Sequence, residues 1–395
     1  MIRSAFIVGS SFPCVLFGQD QAGETPSLPS GFSSSTSLFS LAEGKSKQFG
    51  GLDLSLGFSG RYESNVTQVA SDKEQDWVYT PKIDIGYLLG NSRWNLSARG
   101  NYAYESYQER DDFSGANYSF TLSGGYQSQK LNTSLDLGLS SASGINRIAG
   151  GFIEQKSFKS SLSSTYRLSG KTSLDFSWNQ TSTESRTQDY GDTSSVTAGL
   201  SALWQATPLI SVGPGIRYGV RTGYDEEEFT VVGPTVRFDY KLSTKVALNS
   251  SFGMDRSDSP YSSDDSQLNW AIGLNYRASS LWGFNLQAIQ DTQATLSTGG
   301  GFSQVASYKL SHWRKIRKAQ VEVAVTYEDR SSTDTLSAGV TRDVEYLTFS
   351  AAVRLPVFRE RADMSFYVRQ REQTSKNVDL SWDGVQTGLD FTYRF

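Results

Sequence analysis

Strict alternation of side-chain character, carried to the last residue, restricts this chain more than any other feature. In "GLDFTYRF", Leu389, Phe391, Tyr393 and Phe395 are apolar or aromatic, while Gly388, Asp390, Thr392 and Arg394 fall between them. A two-residue period sends the two sets to opposite faces of a β-strand, one dry and one wet. The pattern recurs in "LDLSLGFSGRYE", where Leu52, Leu54, Leu56, Phe58 and Tyr62 oppose Asp53, Ser55, Ser59, Arg61 and Glu63. In "WVYTPKIDIGYLL", Trp77, Tyr79, Pro81, Ile83, Ile85, Tyr87 and Leu89 oppose Lys82, Asp84 and Gly86. The next run sets Trp94, Leu96, Ala98, Tyr102 and Tyr104 against Arg93, Asn95, Arg99 and Asn101.

Connections between such runs alternate in length. Short turns such as "GNS", "SQK", "LSGK", "HWRKIRK" and "VFRER" are each followed, one strand later, by a long polar loop such as "SNVTQVASDKEQ" or "TSTESRTQDYGDTSS". That is an up-and-down antiparallel meander. The count is about 18 strands, with 16 as the alternative, each near the 9–11 residues a tilted strand needs to cross a bilayer. An even count leaves both termini on the short-turn side, which is the topology of transmembrane β-barrels with short periplasmic turns and long external loops. The fold expectation is therefore all-β: a closed antiparallel barrel over 49–395, whose last strand pairs with the one that begins at Leu52.

Composition selects the orientation of the faces. Hydrophobic residues make up 37% of the 395-residue chain and aromatics 13%, with a mean hydropathy of -0.41. Such sparse aliphatic content suits a sheet that buries one face in lipid and leaves the other in water. A barrel of 16–18 strands is too wide to fill with side chains, and charges facing lipid cost ~2–4 kcal/mol each at the midplane. The wet face is thus assigned to the lumen. Its expected lining includes Arg61, Lys82, Arg93, Arg99, Arg217, Arg221, Arg237, Arg277, Arg354, Arg369, Asp390 and Arg394. Basic lumen residues outnumber acidic ones by about three to two on this face assignment, which predicts a mild anion preference. Aromatic girdles are expected at both rims: Tyr87, Trp94, Tyr126, Trp282 and Tyr308 toward the short turns, and Tyr62, Trp77, Trp270 and Tyr327 toward the loops.

The start of the chain reads differently. Arg3 ahead of a short apolar run predicts an export signal over 1–22, followed by a flexible Ser/Gly/Pro-rich segment over 23–48. The single cysteine, Cys14, lies within the signal. No apolar stretch approaches the ~20 residues of a membrane-spanning helix.

Chemistry-bearing groups are few. The only histidine, His312, is placed in a short turn, and acid pairs such as Asp111 with Asp112 fall in loops without a histidine beside them. The expectation is no enzyme, no cofactor and no metal centre. The net charge of -4 argues against a nucleic-acid partner. The acidic run Asp225 to Glu228 reads as a solvated loop.

Two stretches resemble known proteins. The terminal "FTYRF", with Phe391, Tyr393 and Phe395 at alternate positions, resembles the C-terminal assembly signal of bacterial outer-membrane proteins. That resemblance implies the barrel assembly machinery as partner and the outer membrane of a Gram-negative-type bacterium as location. The stretch from Gly57 to Tyr87 resembles the porin 2 type of β-barrel porin family through Arg61, Tyr62, Glu63, Asn65 and Val66, then Thr80 and Pro81. It implies a channel passing small hydrophilic solutes or, as in members associated with exopolysaccharide export, a secreted polysaccharide. The alternative is a non-transporting receptor or adhesin whose external loops act and whose lumen is plugged, with 23–48 as the candidate plug.

Overall fold

A computed structural model describes residues 51–146, 151–187, 191–223, 228–259, 262–294, 302–332, 343–358, 361–375 and 380–395. The expected signal, the segment over 23–48 and most of the acidic run from Asp225 lie outside the described residues.

The chain forms one sheet of 18 strands. In chain order these are β1 (Gly51–Glu63), β2 (Asp76–Gly90), β3 (Trp94–Tyr107), β4 (Gly115–Gln127), β5 (Leu131–Asn146) and β6 (Gly151–Arg167). Then come β7 (Thr172–Ser185), β8 (Thr193–Thr207), β9 (Ile210–Thr222), β10 (Glu228–Tyr240), β11 (Val246–Ser259) and β12 (Ser262–Arg277). The last six are β13 (Trp282–Ala294), β14 (Phe302–Ile316), β15 (Ala319–Ser332), β16 (Val344–Val357), β17 (Ala362–Ser375) and β18 (Trp382–Arg394). A 3-10 turn, Asp111–Phe113, follows β3. Every strand pairs antiparallel with its chain neighbours, and β1 pairs with β18 from Ser55↔Arg394 to Glu63↔Gln386. The seam continues one residue further, where the Phe395 amide donates to the Leu54 carbonyl at 3.0 Å. Closure removes the two edges an open sheet would expose.

Alternation sorts the faces as expected. Leu52, Leu56, Phe58, Trp77, Ile85, Phe120, Ile216, Phe252, Leu310, Phe349 and Phe366 are all exposed on the outer surface. Their neighbours in sequence turn inward, and inward charges meet partners on strands that are not adjacent, as only a concave face allows. The strands are longer than a minimal crossing, at 13 to 17 residues, because the ladders run on past the apolar band toward the long loops.

Several local expectations are corrected. "HWRKIRK" is not a seven-residue turn: β14 runs to Ile316, which pairs with Ala319. Only Arg317 and Lys318 form the turn, with Arg317 at φ 56°, as tight two-residue hairpins require. His312 consequently lies in β14, faces outward and packs its ring 6.0 Å from that of Trp282. Tyr308 sits not in the short-turn girdle but mid-strand, between Trp270 at 6.0 Å and Tyr327 at 6.2 Å.

Pro81, Pro214 and Pro234 each keep register on one side, opposite Phe58, Val236 and Ile216. On the other side the ladder skips two positions and resumes, the local cost of a residue that cannot donate a ladder bond.

Candidate functional site: the charged inner wall

At the long-loop end, β1 and β3 place Arg61, Glu63, Glu105 and Tyr107 on the inner face. Arg61 reaches past β2, which lies between them. Its Nε donates to Glu63 Oε1 at 2.8 Å, its Nη2 donates to Glu105 Oε2 at 2.9 Å, and Nη2 also reaches the Tyr107 hydroxyl at 3.3 Å. From across the seam, Arg371 of β17 meets Glu63 at 3.4 Å and Gln386 of β18 donates to Glu63 Oε1 at 3.0 Å. Arg61 is only 3% exposed, so this is a buried, charge-assisted network joining β17, β18, β1 and β3 of the closed wall.

The first loop, L1 (64–75), folds onto this network rather than away from it. Asn65 Nδ2 donates to the carbonyls of Val69 and Asp383, each at 2.8 Å, tying L1 to the start of β18. Val66 packs against inward-facing Val78 and Tyr107, together with Phe113 from the 3-10 turn. Asp76 holds the next loop, L2 (108–114): its carboxylate accepts from the amides of Gln108, Glu109 and Arg110. Arg110 then spans Glu74 and Asp112 over the Phe113 ring. Hydrogen bonds from Arg110 hold the Asp112 carboxyl below its ordinary value and raise that of Arg110.

A second cluster lies on the opposite side of the sequence. Arg217 Nη2 donates to both Asp291 oxygens at 2.8 and 2.9 Å, and Arg221 Nη2 donates to Asp291 Oδ1 at 3.0 Å. Arg217 also lies 3.4 Å from Asp255. These contacts join β9 to β13 directly, although β10, β11 and β12 intervene in the sheet. The wall must therefore fold inward here, and Phe229 and Val231 of β10 fill the fold as a small dry core.

Toward the short turns, Arg237 pairs with Asp175 at 2.8 Å and Asp239 at 3.1 Å. Arg354 and Arg394 share Asp363. Two glycines give neighbouring side chains room to lie flat on the wall. A Cβ at Gly57 would stand 2.1 Å from the Lys82 chain, and one at Gly388 would stand 2.5 Å from the Tyr367 hydroxyl.

Against the expected lining, Arg61, Lys82, Arg99, Arg217, Arg221, Arg237, Arg354, Arg369 and Asp390 all sit on inward strand positions. Three others are at rims. Arg93 is an exposed residue of the β2–β3 turn, Arg277 is the exposed last residue of β12, and Arg394 ends β18. A further correction concerns wetness. Asp390 is buried rather than bathed in lumen water, accepting from Ser365 at 3.3 Å, and Arg61, Arg217 and Arg221 are packed in ion-paired clusters. Glu105, Tyr107, Asp255 and Asp291 were not singled out from sequence, yet they hold those clusters together. Extending the same alternation to the strand ends finds their inward placement. It does not find their partners.

Among the described residues no group of three or more His, Cys, Asp or Glu side chains is placed to hold a metal ion.

No family model and no curated protein matches the chain. Solved structures similar to it include the outer membrane protein OpdK of Pseudomonas aeruginosa, 10% identical over 87% of this chain and 99% of that one, with a TM-score of 0.45. Others are OpdL of Pseudomonas aeruginosa, at 13% identity, 87% and 98% coverage and 0.44, and the FrpB iron transporter of Neisseria meningitidis, at 11%, 88% and 82%, and 0.46. At this identity and superposition the likeness is a loose one.

Proposed function

We propose that this chain is an outer-membrane channel through which small hydrophilic solutes, or a polysaccharide being secreted, pass passively along a charged inner wall. The observation that carries the reading is the inversion of polarity across a closed wall. Large apolar side chains stand exposed on the outside, and guanidinium and carboxylate groups line the inside. In water the outer surface would be a severe association hazard; in a bilayer it is the expected lipid face, with aromatics flanking it. The short-turn end then faces the periplasm and the long-loop end the exterior. The C-terminal Phe391, Tyr393 and Phe395 serve as the handle for the assembly machinery. Phe395, 72% exposed at the seam, is accessible for that role.

The L1 cluster narrows the external half, so the channel selects by size at its mouth. Arg99, which is exposed on the inner face and makes no ion pair among the described residues, supplies the mild anion preference. Liposome swelling with sugars of graded size, and planar-bilayer reversal potentials under a salt gradient, test the reading. Swelling that falls off with solute size and a reversal potential of anionic sign support it. Absence of swelling with every sugar, together with absent conductance, points instead to the receptor or adhesin reading, which the packing of L1 and L2 over the inner wall also accommodates.

A further inference from the structure

Two seams in the wall have ladders that stop without a proline and do not resume, and that of β12 with β13 leaves the longer stretch without ladder bonds. β12 and β13 pair from Arg277↔Gly283 only as far as Trp270↔Gln290, although β12 continues to Ser262 and β13 to Ala294. Their other flanks stay zipped: β11 holds β12 down to Ser259↔Ser262, and β14 holds β13 through Ala294↔Phe302. Beyond Trp270, the facing residues Asn269 with Asp291, and Leu268 with Thr292, therefore belong to two separately held hairpins.

Backbone groups along the open stretch are satisfied by side chains instead. The Leu268 carbonyl accepts from Gln290 Nε2 at 3.2 Å, and the Thr292 amide donates to Asp291 Oδ1 at 2.9 Å. Trp270 Nε1 donates to Gln290 Oε1 at 2.9 Å, and the Thr292 hydroxyl donates to Gln267. A buried backbone group must be paired somewhere. Three of these four bonds run from one hairpin to the other through a side chain, so this stretch is held by side-chain bonds in place of a ladder. The short frayed end of β4 against β5 differs, because there Ser143 packs tightly on Gly115 and closes the wall.

Directly behind the open stretch stand Arg217 and Arg221, joined to it through Asp291. Arg221 is 1% exposed, yet its Nε and Nη1, like Arg217 Nε, face no acceptor. Buried guanidinium donors without acceptors call for an anion or water. The Arg221 guanidinium also lies 6.0 Å from the Phe229 ring, and Phe229 and Val231 form a dry apolar patch beside it. On the outer surface Leu268 and Met254 are exposed to the surrounding apolar phase. Charge for an anionic head, an apolar floor for a chain, and a stretch of wall held without ladder bonds thus coincide.

We propose that the β12–β13 seam is a lateral portal, through which a single-chain amphiphile with an anionic headgroup moves between the membrane and a pocket formed by Arg217, Arg221, Phe229 and Val231. The proposal rests on the membrane reading above but not on axial conduction.

Its test uses the full chain in nanodiscs with two photoactivatable probes, a diazirine-bearing dodecanoate and a phosphatidylglycerol with the same diazirine on its acyl chain. A cysteine pair, Leu268→Cys with Thr292→Cys, locks the portal on oxidation; Leu274→Cys with Leu286→Cys locks the zipped part as control. Dodecanoate labelling of Phe229 and Val231 that falls at least tenfold on oxidation of the first pair, and not of the second, is the expected result. Labelling by the phospholipid probe with the same sensitivity identifies a lipid rather than a free carboxylate as the source. Arg221→Gln provides an arm without cysteines, lowering dodecanoate labelling while amide exchange at Gln267–Asn269 stays fast. Labelling spread evenly around the outer belt and indifferent to the lock overturns the proposal, as does amide exchange at Gln267–Asn269 as slow as at Gly273–Tyr276. Ionic conductance of the oxidised first pair separates the two readings: it stays at the wild-type value if axial passage is independent of the portal.

Discussion

Replacing Arg61 by methionine keeps most of the side-chain length and removes the charge on which the external mouth is built. In the wild type Arg61 makes one charge-assisted bond to Glu63, at 2.8 Å, and a bidentate pair to Glu105, at 2.9 and 3.3 Å. After the change Glu63 retains Arg371 and Gln386, but Glu105 retains only the Tyr107 hydroxyl at 3.5 Å. Removing one partner of a buried ion pair costs about 3–5 kcal/mol, because the remaining charge is left desolvated. The two shorter of these charge-assisted bonds, at about 1.5–3 kcal/mol each, sum to about 3–6 kcal/mol, which overlaps that range. Since L1 rests on this network, the loss should appear as local opening of the mouth. At a tenfold change per 1.4 kcal/mol, amides of L1 and of the loop end of β3 should exchange roughly 10²- to 10³-fold faster, while those near the short turns stay unchanged. The double variant Arg61→Met, Glu105→Gln removes the stranded carboxylate and should recover most of the protection. The measurement is hydrogen exchange by mass spectrometry on the folded barrel. Exchange in L1 within threefold of wild type, or a double variant more open than Arg61→Met alone, would refute the claim that Arg61 is the keystone of the mouth.

Three smaller effects follow from the same geometry. Gly388→Ala puts a methyl against Tyr367, an overpacking cost of about 1–3 kcal/mol, whereas Gly86→Ala, whose nearest neighbour is Asp53 Cβ at 3.6 Å, should be near neutral; denaturant titration of refolded protein compares them. The Asp112 carboxyl is held below its ordinary value by Arg110, so its contribution to L2 is present above the unfolded aspartate value and lost as pH falls through the lower folded value; L2 exchange should accelerate only in that acidic window. Deleting Phe395 removes the amide that extends the seam to Leu54 and the last aromatic of the terminal strand, and should slow membrane insertion at least several-fold while barrels that do close keep their conductance, read by gel mobility shift and single-channel recording.

Strand number, closure and facing were legible because alternation is a local property. Each strand carries its own two-residue signal, and loop lengths order the strands without reference to their contacts. The partnerships on the inner wall were not legible, because they skip over intervening strands. Arg61 meets Glu105 44 residues away and Arg217 meets Asp291 74 residues away, and neither spacing belongs to any local period. Parity states that a side chain points inward; it does not state whether water reaches it. That is why Asp390 reads as a lumen residue in sequence but is packed in the structure. The misplaced turn around His312 has a related cause. Four cations in "RKIRK" resemble a solvated turn, but the ladder of β14 with β15 carries on beneath them to the Ile316↔Ala319 pair.

The stretch from Gly57 to Tyr87 gains a physical meaning from its placement in the barrel. Its residues divide by face: Arg61 and Glu63 turn inward to form the mouth network, while Tyr62 turns outward onto Trp77, with ring centroids 5.5 Å apart. Asn65 and Val66 then bend L1 back over the wall, the first through backbone carbonyls on both sides of the seam and the second through the apolar cluster. Thr80 and Pro81 fall where β2 gives up two ladder positions to β3, below the point at which Arg61 crosses β2 to reach Glu105. Arg61, Glu63, Asn65 and Val66 are thereby each committed to another part of the wall. Together these residues fold the first loop into the mouth of the barrel and tie the seam across β18, β1 and β3.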